Sequence, residues 1–370
     1  MAGKSFFFAG GGTGGHIYPA IAVAERIVEL EPQAKIHFFC STRKIDAQIL
    51  SKTGFEVTYL PAKGFSIRPK GLIEFISSFF QSYRIAKGLL AKSYDAVVTG
   101  VGGFVAAPVC YAAHKLNIPV KLLNVDITPG RANKIIARWA DEIFVQFEET
   151  AQYFAKRKAN VSIVGCPLRK GFENPTPAKA IEQLGLDKNK KILLITGASS
   201  GSQNINKAIC SLLQSLNAFA EDWQIVHLTG VSNYQEVKQR YTDIKISHKV
   251  LDYYDDMPSL LAAADLVIGR SGAVSVAEYA AAFVPSICIP YPYHKDRHQY
   301  LNAGKLVEAG AAIIVDDLPD NTETAEWLWE ELGPLLKNDE ERRQMTQACR
   351  EIANKEAASK IAEKLLVVRR

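Results

Sequence analysis

Residues 5–27 read SFFFAGGGTGGHIYPAIAVAERI. The apolar run Phe6–Phe8 has strand length and leads into Gly10, Gly12 and Gly15, spaced as GxGxxG, before a helical pattern begins. Strand, glycine loop and helix in that order open a doubly wound α/β sheet of parallel strands. Such a loop lets backbone N–H groups and the positive end of the helix dipole approach an anion. Pro19 is placed to open the helix at its first turn. His16, at the loop tip, is a candidate general base, set against the plainer reading of a structural or exposed histidine.

The same alternation fills the chain. Strand candidates in the first half are Phe6–Phe8, Ile36–Phe39, Val57–Leu60, Ala96–Val98, Val120–Leu123, Ile143–Val145 and Val161–Val164. A second series follows with Ile192–Ile195, Ile225–Leu228, Lys249–Leu251, Leu266–Ile268, Ser286–Ile289 and Ala312–Val315. Between them GCPLRKGFENPTPAKA, rich in Pro and Gly, reads as a linker. The expected division is therefore 1–165 and 166–356, each a Rossmann-like α/β domain. Of the closing helical segments Thr322–Lys337, Asp339–Asn354 and Ala357–Val368, the last (357–370) is expected to brace the first domain. Ligands of such sheets bind outside the carboxyl ends of the strands, so a cleft faced by both sheets is the expected site.

With 370 residues the chain exceeds one ordinary core, and 48% hydrophobic against 22% charged residues is too well mixed for disorder. Forty-four Lys+Arg against 39 Asp+Glu give +5, without a basic stripe interleaved with aromatics, so no nucleic-acid partner is expected. The six cysteines show no CxxC or Cys/His spacing, which argues for a reducing cytoplasm and against a zinc site or disulfide framework. The N-terminus reads as a buried strand rather than a signal peptide. No stretch reaches the roughly 18 apolar residues of a bilayer span, so membrane contact is expected to be peripheral.

A second glycine loop, Thr196-Gly197-Ala198-Ser199-Ser200-Gly201-Ser202-Gln203, follows the first strand of the second half and adds serine hydroxyls, fitting a phosphate or diphosphate. The third cluster is IGRSGAVSVAEYAAAFVPSICIPYPYHKDRHQYLN, from Ile268 to Asn302. There Ser271 and Gly272 are expected to cap a helix facing an anion, and Glu278 is suited to accept both hydroxyls of a ribose. A dinucleotide oxidoreductase is disfavoured, because the second strand ends Phe39-Cys40-Ser41-Thr42-Arg43 without the carboxylate that a nicotinamide ribose wants.

GGGTGGHIYPAIAVAERI, DDMPSLLAAADLVIGRSG and the block from Arg270 to Ala303 together resemble the MurG family of bacterial N-acetylglucosaminyltransferases, in order and spacing, from about residue 5 to about residue 316. The resemblance implies a GT-B fold and inverting transfer without metal or other cofactor. The donor is UDP-N-acetylglucosamine, bound by the second domain. The acceptor is the 4-hydroxyl of a polyprenyl-diphosphate-linked muramoyl-pentapeptide, bound by the first, and cell-wall synthesis proteins are implied partners. It places His16 as the base, with Thr13 beside it and Gly12, Gly14, Gly15, Asp126 and Asn133 on the acceptor and phosphate side. For the donor it implies Arg169, Ser199, Arg270, Ser271, Gly272, Ala273, Glu278, His298 and Gln299, with Asn206 in the helix after the second loop. His298 stands where the family has the first of two glutamines, Ala198 where it has a glycine, and Leu123-Asn124-Val125-Asp126 where it has a His-Glu-Gln-Asn-like run.

The stretch from Lys63 to Lys92 holds Leu72, Ile73, Phe75, Ile76, Phe79 and Phe80 among Lys63, Arg68, Lys70, Arg84, Lys87 and Lys92. It reads as a surface for the anionic, cytoplasmic face of the plasma membrane or as a helix whose apolar face packs on the sheet. Two alternatives stay open beside lipid-linked cell-wall precursor synthesis: a GT-B enzyme acting on another lipid such as diacylglycerol, and a UDP-sugar-binding paralogue without turnover.

Overall fold

The computed structural model describes residues 4–12, 14–65, 67–93, 95–198 and 201–368. These form two compact units, Met1–Arg169 with Glu356–Arg370, and Lys170–Lys355. The first holds strands β1 (Ser5–Gly10), β2 (Lys35–Ser41), β3 (Glu56–Leu60), β4 (Ala96–Gly102), β5 (Val120–Asn124), β6 (Glu142–Val145) and β7 (Asn160–Ile163). Its helices are α1 (Gly14–Leu30), α2 (Lys44–Leu50), α3 (Pro69–Leu90), α4 (Ala106–Lys115), α5 (Arg131–Ile136) and α6 (Glu148–Ala151). The sheet is parallel in the order β3-β2-β1-β4-β5-β6-β7. Every residue of β4 and β5 is buried, as expected of central parallel strands covered on both faces.

The second unit holds β8 (Lys191–Thr196), β9 (Trp223–Leu228), β10 (Ser247–Leu251), β11 (Leu266–Gly269), β12 (Ser286–Cys288) and β13 (Ala312–Ile314), parallel in the order β10-β9-β8-β11-β12-β13. Its helices are α7 (Pro177–Leu184), α8 (Gln203–Leu216), α9 (Tyr234–Arg240), α10 (Met257–Ala263), α11 (Ala273–Ala282), α12 (His298–Glu308), α13 (Asn321–Lys337) and α14 (Asp339–Ile352). Trp223 is fully buried in its core, and its indole N–H donates to the Leu336 carbonyl at 3.1 Å. Part of the segment read as linker is regular structure, since α7 begins at Pro177. The final helix, α15 (Ala357–Leu366), belongs to the first unit. It packs on α1, Lys4 Nζ donates to the Leu365 and Leu366 carbonyls at 3.1 Å each, and Lys364 pairs with Glu142 at 2.8 Å.

Two local expectations change. Helix α1 begins at Gly14, so Pro19 lies inside it rather than at its first turn. The helix thereby lacks the bond from residue 19 to the carbonyl of Gly15, a solvent-exposed residue that water can satisfy. Helix α3 buries Ser78, Ser82, Ala86 and Leu90, at helical spacing, and packs on α4. That leaves Leu72, Ile73, Ile76 and Phe80 in solvent, with Ile73 69% and Phe80 54% exposed, so the packing reading fails for these four. Phe75 and Phe79 are partly buried. No helix among the described residues is long and apolar enough to cross a membrane.

Candidate active site

In each sheet the strand order reverses beside the first strand, between β1 and β4 and between β8 and β11. These switch points open crevices at the carboxyl ends of the strands, where His16 and Asn133 meet Gly102 in the first unit and Arg270 meets Ser202 in the second.

In the first unit, His16 sits on the first turn of α1. A Cβ on Gly102, at the end of β4, would lie 2.9 Å from both Nε2 and Cδ2 of His16 and 3.4 Å from Asn133 Oδ1. Gly102 (φ 113°) and Gly103 (φ 78°) adopt backbone that favours glycine, and a Cβ on Gly103 would stand 2.6 Å from the Gly11 carbonyl. Glycine at these positions is what lets the imidazole and the first loop close onto β4. Asn133, buried on α5, donates through Nδ2 to Asn124 Oδ1 at 2.8 Å, and Asn124 Nδ2 donates to the Asp126 carbonyl at 2.6 Å. Asp126 thus contributes its backbone to this chain of contacts. Asn133 Oδ1 is buried without a hydrogen-bond partner among the described residues. Gly14 is buried and Gly15 exposed at the start of α1, whose first turn carries no acidic side chain. Arg169 lies with its guanidinium 4.5 Å from the Tyr18 ring, within the same unit. Thr13 and Ser199 lie outside the described residues.

Sequence reading missed Asp46. It is fully buried on α2, and the Gly12 N–H donates to its Oδ1 and Oδ2 at 3.0 and 2.9 Å. Ser41 donates to Oδ2 through Oγ at 2.5 Å and through N at 3.3 Å. Arg43 Nη1 donates to the Gly12 carbonyl at 2.9 Å. A carboxylate does follow β2, but five residues past its last residue and turned into the glycine loop, so this Gly12 amide is occupied from within. The signal was an acidic residue in the first turn of a short helix after β2.

In the second unit Arg270 is buried at the end of β11. Its Nη1 donates to the Ile289 and Pro290 carbonyls at 2.9 and 3.2 Å, and its Nη2 donates to Ser202 Oγ at 2.6 Å and pairs with Asp317 Oδ2 at 2.7 Å. Asn204 Nδ2 holds the other Asp317 oxygen at 2.7 Å. Ser202 caps α8, accepting from Ile205 N. Asp317 and Asn204 were not legible in the sequence, since they meet only through the fold. Asn206 Nδ2 donates to the Thr229 carbonyl, which packs against Gly201, and its Oδ1 meets His227 Nε2 at 3.0 Å. His227 bonds the Tyr241 hydroxyl through Nδ1 at 3.0 Å, and complete burial lowers its pKa to about 3, so it is neutral.

Ser271 does not cap α11. Gly272 is its N-cap residue and makes no side-chain bond, while Ser271 Oγ is fully buried without a partner among the described residues. Ala273 opens the helix, and Glu278 stands half-buried in its second turn. On α12, His298 Nδ1 meets Asp296 Oδ1 at 2.7 Å, and Gln299 Oε1 accepts from the Tyr291 N–H at 3.0 Å. Partial burial would raise the Asp296 pKa, but the His298 contact outweighs it and holds it below the usual value. The six cysteines are free thiols, with Cys110, Cys288 and Cys349 pushed up to about 12 by burial. Among the described residues no three His, Cys, Asp or Glu are grouped to hold a metal ion.

The glycosyltransferase family 28 N-terminal domain matches residues 6–145 and the family 28 C-terminal domain residues 192–365. The chain is 34% identical over 360 residues, 96% of each sequence, to a UDP-N-acetylglucosamine–N-acetylmuramyl-(pentapeptide) pyrophosphoryl-undecaprenol N-acetylglucosamine transferase of Thermodesulfovibrio yellowstonii. It is 36% identical over 361 residues, 95% of this chain and 96% of the other, to the transferase so named from Desulfitobacterium hafniense strain Y51. Among solved structures, MurG of Acinetobacter baumannii superposes with a TM-score of 0.74 at 24% identity over 100% of both chains. UDP-GlcNAc 2-epimerase of Neisseria meningitidis, bound to UDP-GlcNAc, shares the fold with a TM-score of 0.70 at 16% identity, over 98% of this chain and 99% of its own. With two doubly wound domains of GT-B type, the chain belongs to glycosyltransferase family 28 and, within it, to the MurG group of hexosyltransferases.

Proposed function

We propose that the chain transfers N-acetylglucosamine from UDP-N-acetylglucosamine to the 4-hydroxyl of the muramoyl-pentapeptide on a polyprenyl diphosphate, inverting the anomeric centre and using no metal ion. The relatives carry that transferase name over nearly their full length. The observation that carries the reading is His16 seated at the switch point of the first unit, against Gly102 and beside the unpartnered carbonyl oxygen of Asn133. There the imidazole takes the proton of the attacking hydroxyl.

In the second unit the N-termini of α8 and α11 face the departing diphosphate, with Arg270 holding Ser202, the cap of α8. Glu278 accepts the ribose hydroxyls, and His298 and Gln299 meet the donor sugar. The exposed apolar residues of α3 and its basic neighbours rest on the anionic cytoplasmic surface that presents the lipid acceptor.

UDP release by the purified protein, in EDTA, with the muramoyl lipid and with diacylglycerol in parallel, tests the reading. Turnover with the muramoyl lipid alone is expected. Turnover with diacylglycerol alone moves the function to the other acceptor, and none with either sinks it. Changing Ile73 and Phe80 together to Ser is expected to lower sedimentation with anionic vesicles without moving Tm. A fall in Tm of several degrees would mean that these side chains are packed.

A further inference from the structure

The Asp46 carboxylate has no place in the chemistry above, yet it is fully buried and receives three protein donors: the Gly12 amide, the Ser41 amide and the Ser41 hydroxyl. Glycine-loop amides before a helix commonly hold a phosphate, and here the Gly12 amide of the loop and the Ser41 amide at the end of β2 converge on one carboxylate. Here the chain supplies the anion itself. Gly12 is held at both polar groups, its N–H by Asp46 and its C=O by Arg43, four residues ahead of His16. On its other side the loop is pressed against Gly103.

We propose that Asp46 is a positioning residue acting as an internal anion, which occupies the Gly12 amide of the first glycine loop, fixes Gly12 and so sets the bearing of His16. A consequence is that a substrate diphosphate is not bound at the Gly12 amide. The inference rests on the reading of His16 as the base, so its test includes a measurement independent of turnover.

That measurement is hydrogen exchange of the full-length protein over the segment containing Gly12, in the wild type, Asp46→Ala and Asp46→Asn, with and without formate. Faster exchange confined to the first loop is expected in both variants, with formate restoring protection in Asp46→Ala because a small carboxylate fits the space left. In the UDP-release assay, kcat of Asp46→Ala is expected to fall about 10- to 100-fold, as for a displaced catalytic group, with the KM for UDP-N-acetylglucosamine unchanged and formate recovering part of the loss. If Asp46→Ala does not fold, Asp46→Asn carries the test with the same direction and a smaller effect. Wild-type exchange and wild-type kcat in the variants overturn the proposal. So does a loss of protection spread through the whole first unit that formate does not reverse, which would make Asp46 merely structural. If the wild type itself shows no turnover, the functional reading fails while the exchange result still decides the role of Asp46.

Discussion

The two glycine loops of this chain share a strand, a turn and a helix in the same order, and each lies at the switch point of its sheet. The side chains that brace them differ. The Gly12 amide of the first is occupied by Asp46, whereas in the second a guanidinium, Arg270, reaches through Nη2 both the serine that caps α8, at 2.6 Å, and Asp317, at 2.7 Å. The same local signature therefore yields one loop whose Gly12 amide is occupied by a carboxylate of the chain and another whose helix-capping serine is held by a paired guanidinium. A glycine-rich turn fixes where N–H groups point. What fills them is decided by side chains brought in from other elements.

The largest expected effect tests the first loop. His16→Ala should lower kcat about 100- to 10,000-fold while leaving UDP-N-acetylglucosamine affinity near wild type, measured by steady-state kinetics and titration calorimetry. Loss of donor affinity instead would erase the distinction between the loops. Next, Asp317→Ala removes the partner of the buried Arg270 and should destabilise the second unit by about 3–5 kcal/mol, read from urea unfolding. Unchanged stability would mean that Arg270 needs no internal counter-charge, and the contrast with Asp46 would lose half its basis.

A pH series sharpens the comparison further. His227 beneath the second loop is neutral in the native state, with its pKa lowered to about 3 by desolvation, while an unfolded histidine titrates near 6.5. Between these values the unfolded chain holds more protons, so this contribution is complete above about pH 6.5 and drains away as pH falls toward 3, at up to about 1.4 kcal/mol per pH unit. His227→Gln should flatten that dependence in unfolding measured from pH 7 to 4. An equal slope in the variant would place the acid sensitivity elsewhere. Smallest, Ala198 in the second loop has φ 60°, a conformation that disfavours a side chain. Ala198→Gly should relieve about 1 kcal/mol of strain and raise Tm by a few degrees, and a lowered Tm would show that the alanine methyl is needed there.

Much of the architecture was legible because parallel strands covered on both faces are unbroken apolar runs; β1, β4, β8 and β11 fall where such runs lie. His16 was legible because its place after the first loop puts it at a switch point in any doubly wound sheet. Pro19 misled, because a proline inside a helix is tolerated when the carbonyl it abandons belongs to an exposed residue. Ser271 misled because capping depends on backbone direction, and the chain enters α11 through Gly272. The apolar residues of α3 could be assigned to neither core nor surface from their spacing alone. Only the fold revealed that the helix buries Ser78 and Ser82 and exposes Leu72, Ile73, Ile76 and Phe80.

The sequence by itself determined the two parallel sheets, the two glycine loops and the family, since these rest on periodicity, loop spacing and local motifs read along the chain. Tertiary structure alone decided that Asp46 occupies the Gly12 amide of one loop, that Asp317 balances Arg270 beside the other, and that His227 is neutral. Each of these depends on burial and on distances between residues remote in the chain, and no pattern of neighbours along a strand or helix encodes them.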